Sequence, residues 1–211
     1  MGKIAFVFPG QGAQVVGMGQ NVYENSAVAK DVFEQASKAV DLDLKALCFE
    51  ENNDINITEF TQVCLLTTSV AIMEELKTRG VKADVAAGLS LGEYCALVAA
   101  GSMNFVDAAK AVRKRGIFMQ EEVPAGKGGM AAILGMDAAE IDKNIEEFDK
   151  VQVANYNCPG QIVISGESKA VAEAGEALKE AGAKRVLPLK VSGPFLSLIH
   201  ISEPTRLLSI S

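Results

Sequence analysis

Val85-Ala86-Ala87-Gly88-Leu89-Ser90-Leu91-Gly92-Glu93-Tyr94-Cys95-Ala96-Leu97-Val98-Ala99-Ala100-Gly101 opens as a short apolar run, turns at a serine and continues as a helix-like apolar run. Gly88, Ser90 and Gly92 stand in G-x-S-x-G spacing, the pattern of a nucleophile elbow. That pattern has a physical demand. The turn is tight, and a side chain at Gly88 or Gly92 would collide with neighbouring backbone. Ser90 then projects at the positive end of a helix, where a developing oxyanion is stabilised. A glycine-rich turn with a helix-capping serine carries the same letters. The apolar strand before and the apolar helix after favour the elbow.

Outward from the elbow, Lys3 to Phe8 is a continuous apolar run, expected to be a buried parallel strand. Pro9-Gly10-Gln11-Gly12 closes it. No full G-x-G-x-x-G follows, so dinucleotide binding has weak support; another use of the turn is a backbone N–H aimed into a site. Asn25 to Val40 reads as an amphipathic helix, and Asp41 to Ile57 as acidic and irregular. Thr61 to Arg79 is expected as a long helix stopped by Gly80, and Asp84 to Ala87 as the strand that feeds the elbow.

Asn104 is expected to cap a further helix, with Asp107 three residues on. Its apolar face is Ala108, Ala111, Val112 and Met119, and Arg115 falls on that face. Lys110, Arg113 and Lys114 fall mostly elsewhere. A guanidinium on an apolar stripe needs a partner, because unpaired buried charge is costly. The spacing leaves two readings level: a structural ion pair or snorkelling stem, and a clamp for a substrate carboxylate.

Pro124 to Gly129 is a glycine-rich joint and a candidate domain boundary. Beyond it, strands are expected at Met130–Leu134, Val151–Ala154, Gln161–Ser165 and Arg185–Val191, with helices at Asp137–Phe148 and Ser168–Ala181. The order β-α-β-β-α-β fits a ferredoxin-like subdomain. The first 125 residues offer only two convincing strands, which leaves open edges and uncovered apolar faces. A poorly soluble or partly molten product is expected on expression.

The chain has 211 residues, of which 49% are apolar, enough for a core. Twenty basic against 27 acidic residues give a net charge of −7, which argues against nucleic acid and anionic membrane as main partners. The run Ile4 to Phe8 is too short for a signal peptide, and no stretch is long enough to span a bilayer. A cytoplasmic protein is expected. Cys48, Cys64, Cys95 and Cys158 lie far apart and are read as reduced, buried thiols. With a single histidine in the chain, no metal site is expected.

The chain resembles the malonyl-CoA:acyl-carrier-protein transacylase family of bacterial fatty-acid synthesis from Lys3 to Phe195. The resemblance rests on Phe8-Pro9-Gly10-Gln11-Gly12, Gly88-Leu89-Ser90-Leu91-Gly92-Glu93-Tyr94, Arg115-Gly116 with Phe118-Met119-Gln120, Asn155 to Gln161, and Val191-Ser192-Gly193-Pro194-Phe195. It implies an α/β fold: an α/β-hydrolase-like core, incomplete here, with an inserted ferredoxin-like subdomain. Residues 1–125 would be the core, 126–191 the insert and 192–195 the start of the return. It implies Ser90 as the acylated nucleophile, the N–H groups of Gln11 and Leu91 as the oxyanion hole, and Arg115 as the malonyl carboxylate ligand. Malonyl-CoA is then the substrate, acyl carrier protein the partner, and no cofactor is bound. Lys184, Arg185 and Lys190 are candidates for docking the acidic carrier, against the plainer reading of a solvated charged face.

Three departures stand out. Cys158 replaces a usual serine, and Leu89 stands where the family often has histidine. After Phe195 the family carries its catalytic histidine; here Leu196 follows, and His200 lies four positions out of register. The stretch Leu196 to Arg206 resembles the translation of a transposase-based sequencing adapter, so 196–211 is read as a non-native tail, with His200 as a displaced base the weaker alternative. A C-terminally truncated, impaired enzyme is expected. Competing readings are a serine esterase or patatin-like hydrolase on the same elbow, and a non-catalytic carrier-binding fragment.

Overall fold

The computed structural model describes residues 2–122 and 127–189. They divide into two compact units after Met119. The expected boundary at 125/126, the end of the last strand and the tail 196–211 lie outside the described residues.

In the first unit, β1 (Ala5–Phe8) pairs in parallel with β2 (Val85–Gly88), Ala5 opposite Val85 and Phe8 opposite Gly88. The expected burial of this run is only partly met. Phe8 is buried, but Val7 is 75% and Val85 56% exposed. Side chains alternate across a strand, so one face of the pair packs and the other lies open among the described residues.

The helices supply the core. Between α1 (Gln20–Asn25) and α2 (Ala27–Val40), Ser26 breaks the expected single helix and caps the second, its Oγ accepting from Ala29 N at 3.1 Å. Ala29, Val32, Phe33 and Ala36 form the buried stripe of α2 at helical spacing. They pack on α4 (Thr58–Thr78), which is buried nearly all round over its first four turns. Gly80 ends this region at φ 81°, in the left-handed backbone that a helix stop uses. Tyr23, Phe33 and Phe49 close one end of the core, with ring centroids 5.3–5.4 Å apart. The stretch expected to be irregular holds α3 (Leu44–Phe49) and a 3-10 turn at Asp54–Asn56. Asp43 caps α3 through Ala46 N at 2.9 Å, and Leu44 and Cys48 are buried beneath it.

After the elbow come α5 (Leu91–Ala99) and α6 (Phe105–Glu122). Asn104 caps α6, its Oδ1 accepting from Val106 N at 2.9 Å. Gly116 of α6 lies against the backbone of Thr58 and Glu59; a Cβ there would sit 2.6 Å from the Glu59 Cα. The missing side chain lets α6 close on the first turn of α4.

The second unit runs β3 (Gly128–Leu134), α7 (Ala138–Ile145), β4 (Val151–Cys158), β5 (Gln161–Glu167), α8 (Ser168–Glu180) and β6 (Arg185–Pro188). Its four strands are antiparallel in the order β4-β5-β3-β6. Ala131, Ile133, Ile162 and Ile164 face Ile141 and Ile145 of α7 and Val171, Ala174 and Leu178 of α8. Met130, Ala132 and Val163 alternate onto the other face. The loop expected over Asn155–Gly160 is mostly strand: β4 continues to Cys158, which pairs with Gln161 around Pro159-Gly160. The extension carries Cys158 out to the hairpin tip, where it is exposed rather than buried as expected.

Candidate active site

Ser90 joins β2 to α5 with φ 53° and ψ −104°. A left-handed φ is costly for a side chain larger than glycine's, and such strain persists only where the surroundings enforce it. Here they do. A Cβ on Gly88 would overlap the Gly92 carbonyl, and one on Gly92 would overlap the Phe8 carbonyl. The end of β1, the end of β2 and the first turn of α5 are thus in backbone contact. Leu89 N donates to Phe8 O at 3.2 Å and Gly92 N to Leu89 O at 2.9 Å, which pin the turn on both sides of the serine. Leu91 is the first residue of α5, so no preceding helical carbonyl takes its N–H.

Arg115 reaches this serine from α6. Its Nη2 donates to Ser90 Oγ at 3.0 Å, and its Nη1 donates to Gln62 Oε1 at 2.7 Å. Gln62 Nε2 faces Gln11 Oε1 at 3.3 Å and Met119 Sδ at 3.3 Å, and Gln11 Nε2 donates to Thr58 Oγ1 at 3.1 Å. Three of the four residues expected at the site are therefore joined in one hydrogen-bonded chain, and Leu91 adjoins Ser90. His200 and Lys190 lie outside the described residues; Lys184 and Arg185 are exposed in the second unit.

Among the described residues, no carboxylate lies within ion-pair distance of Arg115. Burial pulls its pKa below the ordinary arginine value, while Tyr94 and Glu93 hold it up more weakly. The Tyr94 ring centre lies 5.9 Å from the guanidinium carbon. Arg113 is the contrast. Expected off the apolar face, it is half-buried, paired with Glu59 at 2.6 Å and stacked over Phe60 at 4.8 Å. The first turn of α4 supplies that partner, which helical spacing within α6 could not reveal. Among the described residues, the ion pair of α6 is made by Arg113 and not by Arg115.

Gln62, Thr58 and Tyr94 went unassigned in the sequence. The signal for Gln62 was a lone amide in an apolar helix; at 1% exposure it must find partners. Among the described residues, no group of three histidine, cysteine, aspartate or glutamate side chains could hold a metal, and no helix is long and apolar enough to cross a membrane.

The chain matches the acyl transferase domain family over residues 5–192. It is 54% identical over 202 residues to the malonyl CoA-acyl carrier protein transacylase of Bacillus subtilis, covering 93% of this chain and 64% of that protein. The crystal structure of the Clostridium perfringens malonyl CoA-acyl carrier protein transacylase superposes with a TM-score of 0.85 at 48% identity, covering 92% of this chain and 62% of that one. A malonyl-transacylase in complex with a type II polyketide acyl-carrier protein superposes with a TM-score of 0.87 at 44% identity, covering 92% and 64%. The chain thus spans somewhat less than two thirds of the length of these relatives. On sequence and fold together, the chain belongs to the acyl transferase domain family, where its relatives are malonyl CoA-acyl carrier protein transacylases.

Proposed function

We propose that this chain moves a malonyl group from coenzyme A to the phosphopantetheine thiol of acyl carrier protein, in cytoplasmic fatty-acid synthesis. The observation that carries the reading is Arg115: a half-buried cation, without a carboxylate partner among the described residues, 3.0 Å from the elbow serine. An acyl group ending in a carboxylate supplies the missing partner, and arginine grips carboxylates with two parallel N–H groups.

In this mechanism Ser90 Oγ attacks the thioester carbonyl and its proton passes to a base. The oxyanion rests on the N–H groups of Gln11 and Leu91; losing one such donor typically costs ~3 kcal/mol of barrier. The carbon–sulfur bond breaks, coenzyme A leaves as the thiol with the base's proton, and malonyl-serine remains. The carrier thiol then attacks that ester, its proton passing through the base to Ser90. No cofactor takes part in these steps. With Leu196 at the family's histidine position, turnover by this chain is slow, since a general base is worth ~10²–10⁴-fold.

The same reading takes 1–125 as part of an α/β-hydrolase-like core and 126–191 as a ferredoxin-like insert. The relative solved with its carrier protein supports the choice of partner. Lys184, Arg185 and Lys190 are the candidate basic patch for it.

Incubation with malonyl-CoA followed by intact-mass measurement tests the function. A lasting malonyl adduct that vanishes in Ser90→Ala supports it. Free malonate without an adduct indicates a serine hydrolase. Carrier binding without acylation indicates a non-catalytic fragment.

A further inference from the structure

Gln62 holds none of the roles assigned above, yet it touches two residues that do. Its Oε1 accepts from Arg115 Nη1 at 2.7 Å, and its Nε2 faces Gln11 Oε1 at 3.3 Å. Gln11 in turn directs its Nε2 to Thr58 Oγ1 at 3.1 Å.

Charge sets the direction of this chain. A guanidinium only donates. The atom Gln62 turns to Arg115 must be its oxygen, which turns its NH₂ to Gln11. The atom Gln11 returns must again be oxygen, which turns its own NH₂ to Thr58. One cation therefore orients two amides in series and ties α6, through α4, to the loop that follows β1.

We propose that Gln62 is a positioning residue: it holds the Arg115 guanidinium in register with Ser90 without neutralising it. The inference rests on the malonyl-transfer reading only for what the site receives. A hydrocarbon at this position would leave Nη1 without its acceptor and let the guanidinium rotate. A carboxylate would pair with the cation and compete with the incoming acid. A neutral amide secures the geometry and leaves the full charge to an anionic acyl group.

The test uses the 211-residue chain with its Gln62→Leu and Gln62→Glu variants. Nitrogen NMR of arginine side chains, with Arg115→Lys for assignment, reads rotation of the guanidinium directly. Separate Nη signals in the parent chain that merge in Gln62→Leu support the proposal. Signals already merged in the parent, or still separate in Gln62→Leu, overturn it. Intact-mass loading rates from malonyl-CoA and acetyl-CoA give the second readout. Gln62→Glu is expected to lower the malonyl-to-acetyl loading ratio by roughly 10- to 100-fold, what a hydrogen bond to a charged group is worth. An unchanged ratio overturns the specificity role. If the parent chain releases malonate without forming an adduct, the transfer reading falls, and the guanidinium signals still decide the positioning.

Discussion

Arg115 donates from Nη2 to Oγ of Ser90 across 3.0 Å, from the middle of α6 to the turn between β2 and α5. The contact joins a guanidinium that forms no ion pair among the described residues to a serine in strained backbone. On the proposed function, the pair is a nucleophile beside the site for the acyl carboxylate.

On the proposed function, replacing Arg115 by alanine is expected to act on the choice of acyl group rather than on acylation in general. Malonyl loading of Ser90 is expected to fall by roughly 10- to 100-fold more than acetyl loading, the worth of charge-assisted hydrogen bonds to a carboxylate. Parallel rate measurements with malonyl-CoA and acetyl-CoA check it. Equal losses for both donors would remove Arg115 from specificity.

The strain at Ser90 makes a second prediction, in which stability and function part. Glycine adopts φ 53° without penalty, so Ser90→Gly is expected to stabilise the first unit by about 1 kcal/mol. The same change is expected to abolish the acyl adduct of the proposed function. Denaturant midpoints compared with Ser90→Ala, which keeps the Cβ, separate backbone relief from loss of the hydroxyl.

Gly92→Ala tests the packing that enforces the strain. Its Cβ would overlap the Phe8 carbonyl, and backbone cannot yield as a flexible side chain does. A loss of about 2–4 kcal/mol is expected, at the upper end for single substitutions. A denaturant midpoint close to that of the parent chain would mean that β1 and α5 do not meet as described.

How much of this was legible in the sequence depends on the range of each interaction. The elbow is local: two glycines and a serine within five residues imply the turn, and Gly88, Ser90 and Gly92 bear the geometry they predict. Arg115 could be placed on a face but not given a partner. Gln62 was invisible because its partners lie 51 and 53 residues away in the chain. Helix α3 has only six residues, too few for a period to register, and stands on the Asp43 cap and the burial of Leu44 and Cys48. Between the two expected strands, Asn155 to Gly160 reads as loop because Asn155, Asn157, Pro159 and Gly160 all favour turns, while cross-strand pairing claims the residues up to Cys158.

The buried thiols make the last prediction, on pH. Burial raises the Cys95 thiol from 9.0 to about 11, opposed by a weaker hydrogen bond from Ser69. A thiol with a raised folded-state pKa keeps its proton in the native protein and loses it sooner in the unfolded chain. Its stabilising contribution is therefore complete below pH 9 and is lost as pH climbs towards 11. The loss approaches about 1.4 kcal/mol per pH unit within that window for one group. Lysines and tyrosines titrate there too, so the measurement is a difference: unfolding free energy from pH 8 to 11 for the parent chain and for Cys95→Ala. The parent is expected to lose stability more steeply than the variant. Parallel curves would mean that the Cys95 thiol is not held neutral by its surroundings in the α5 core.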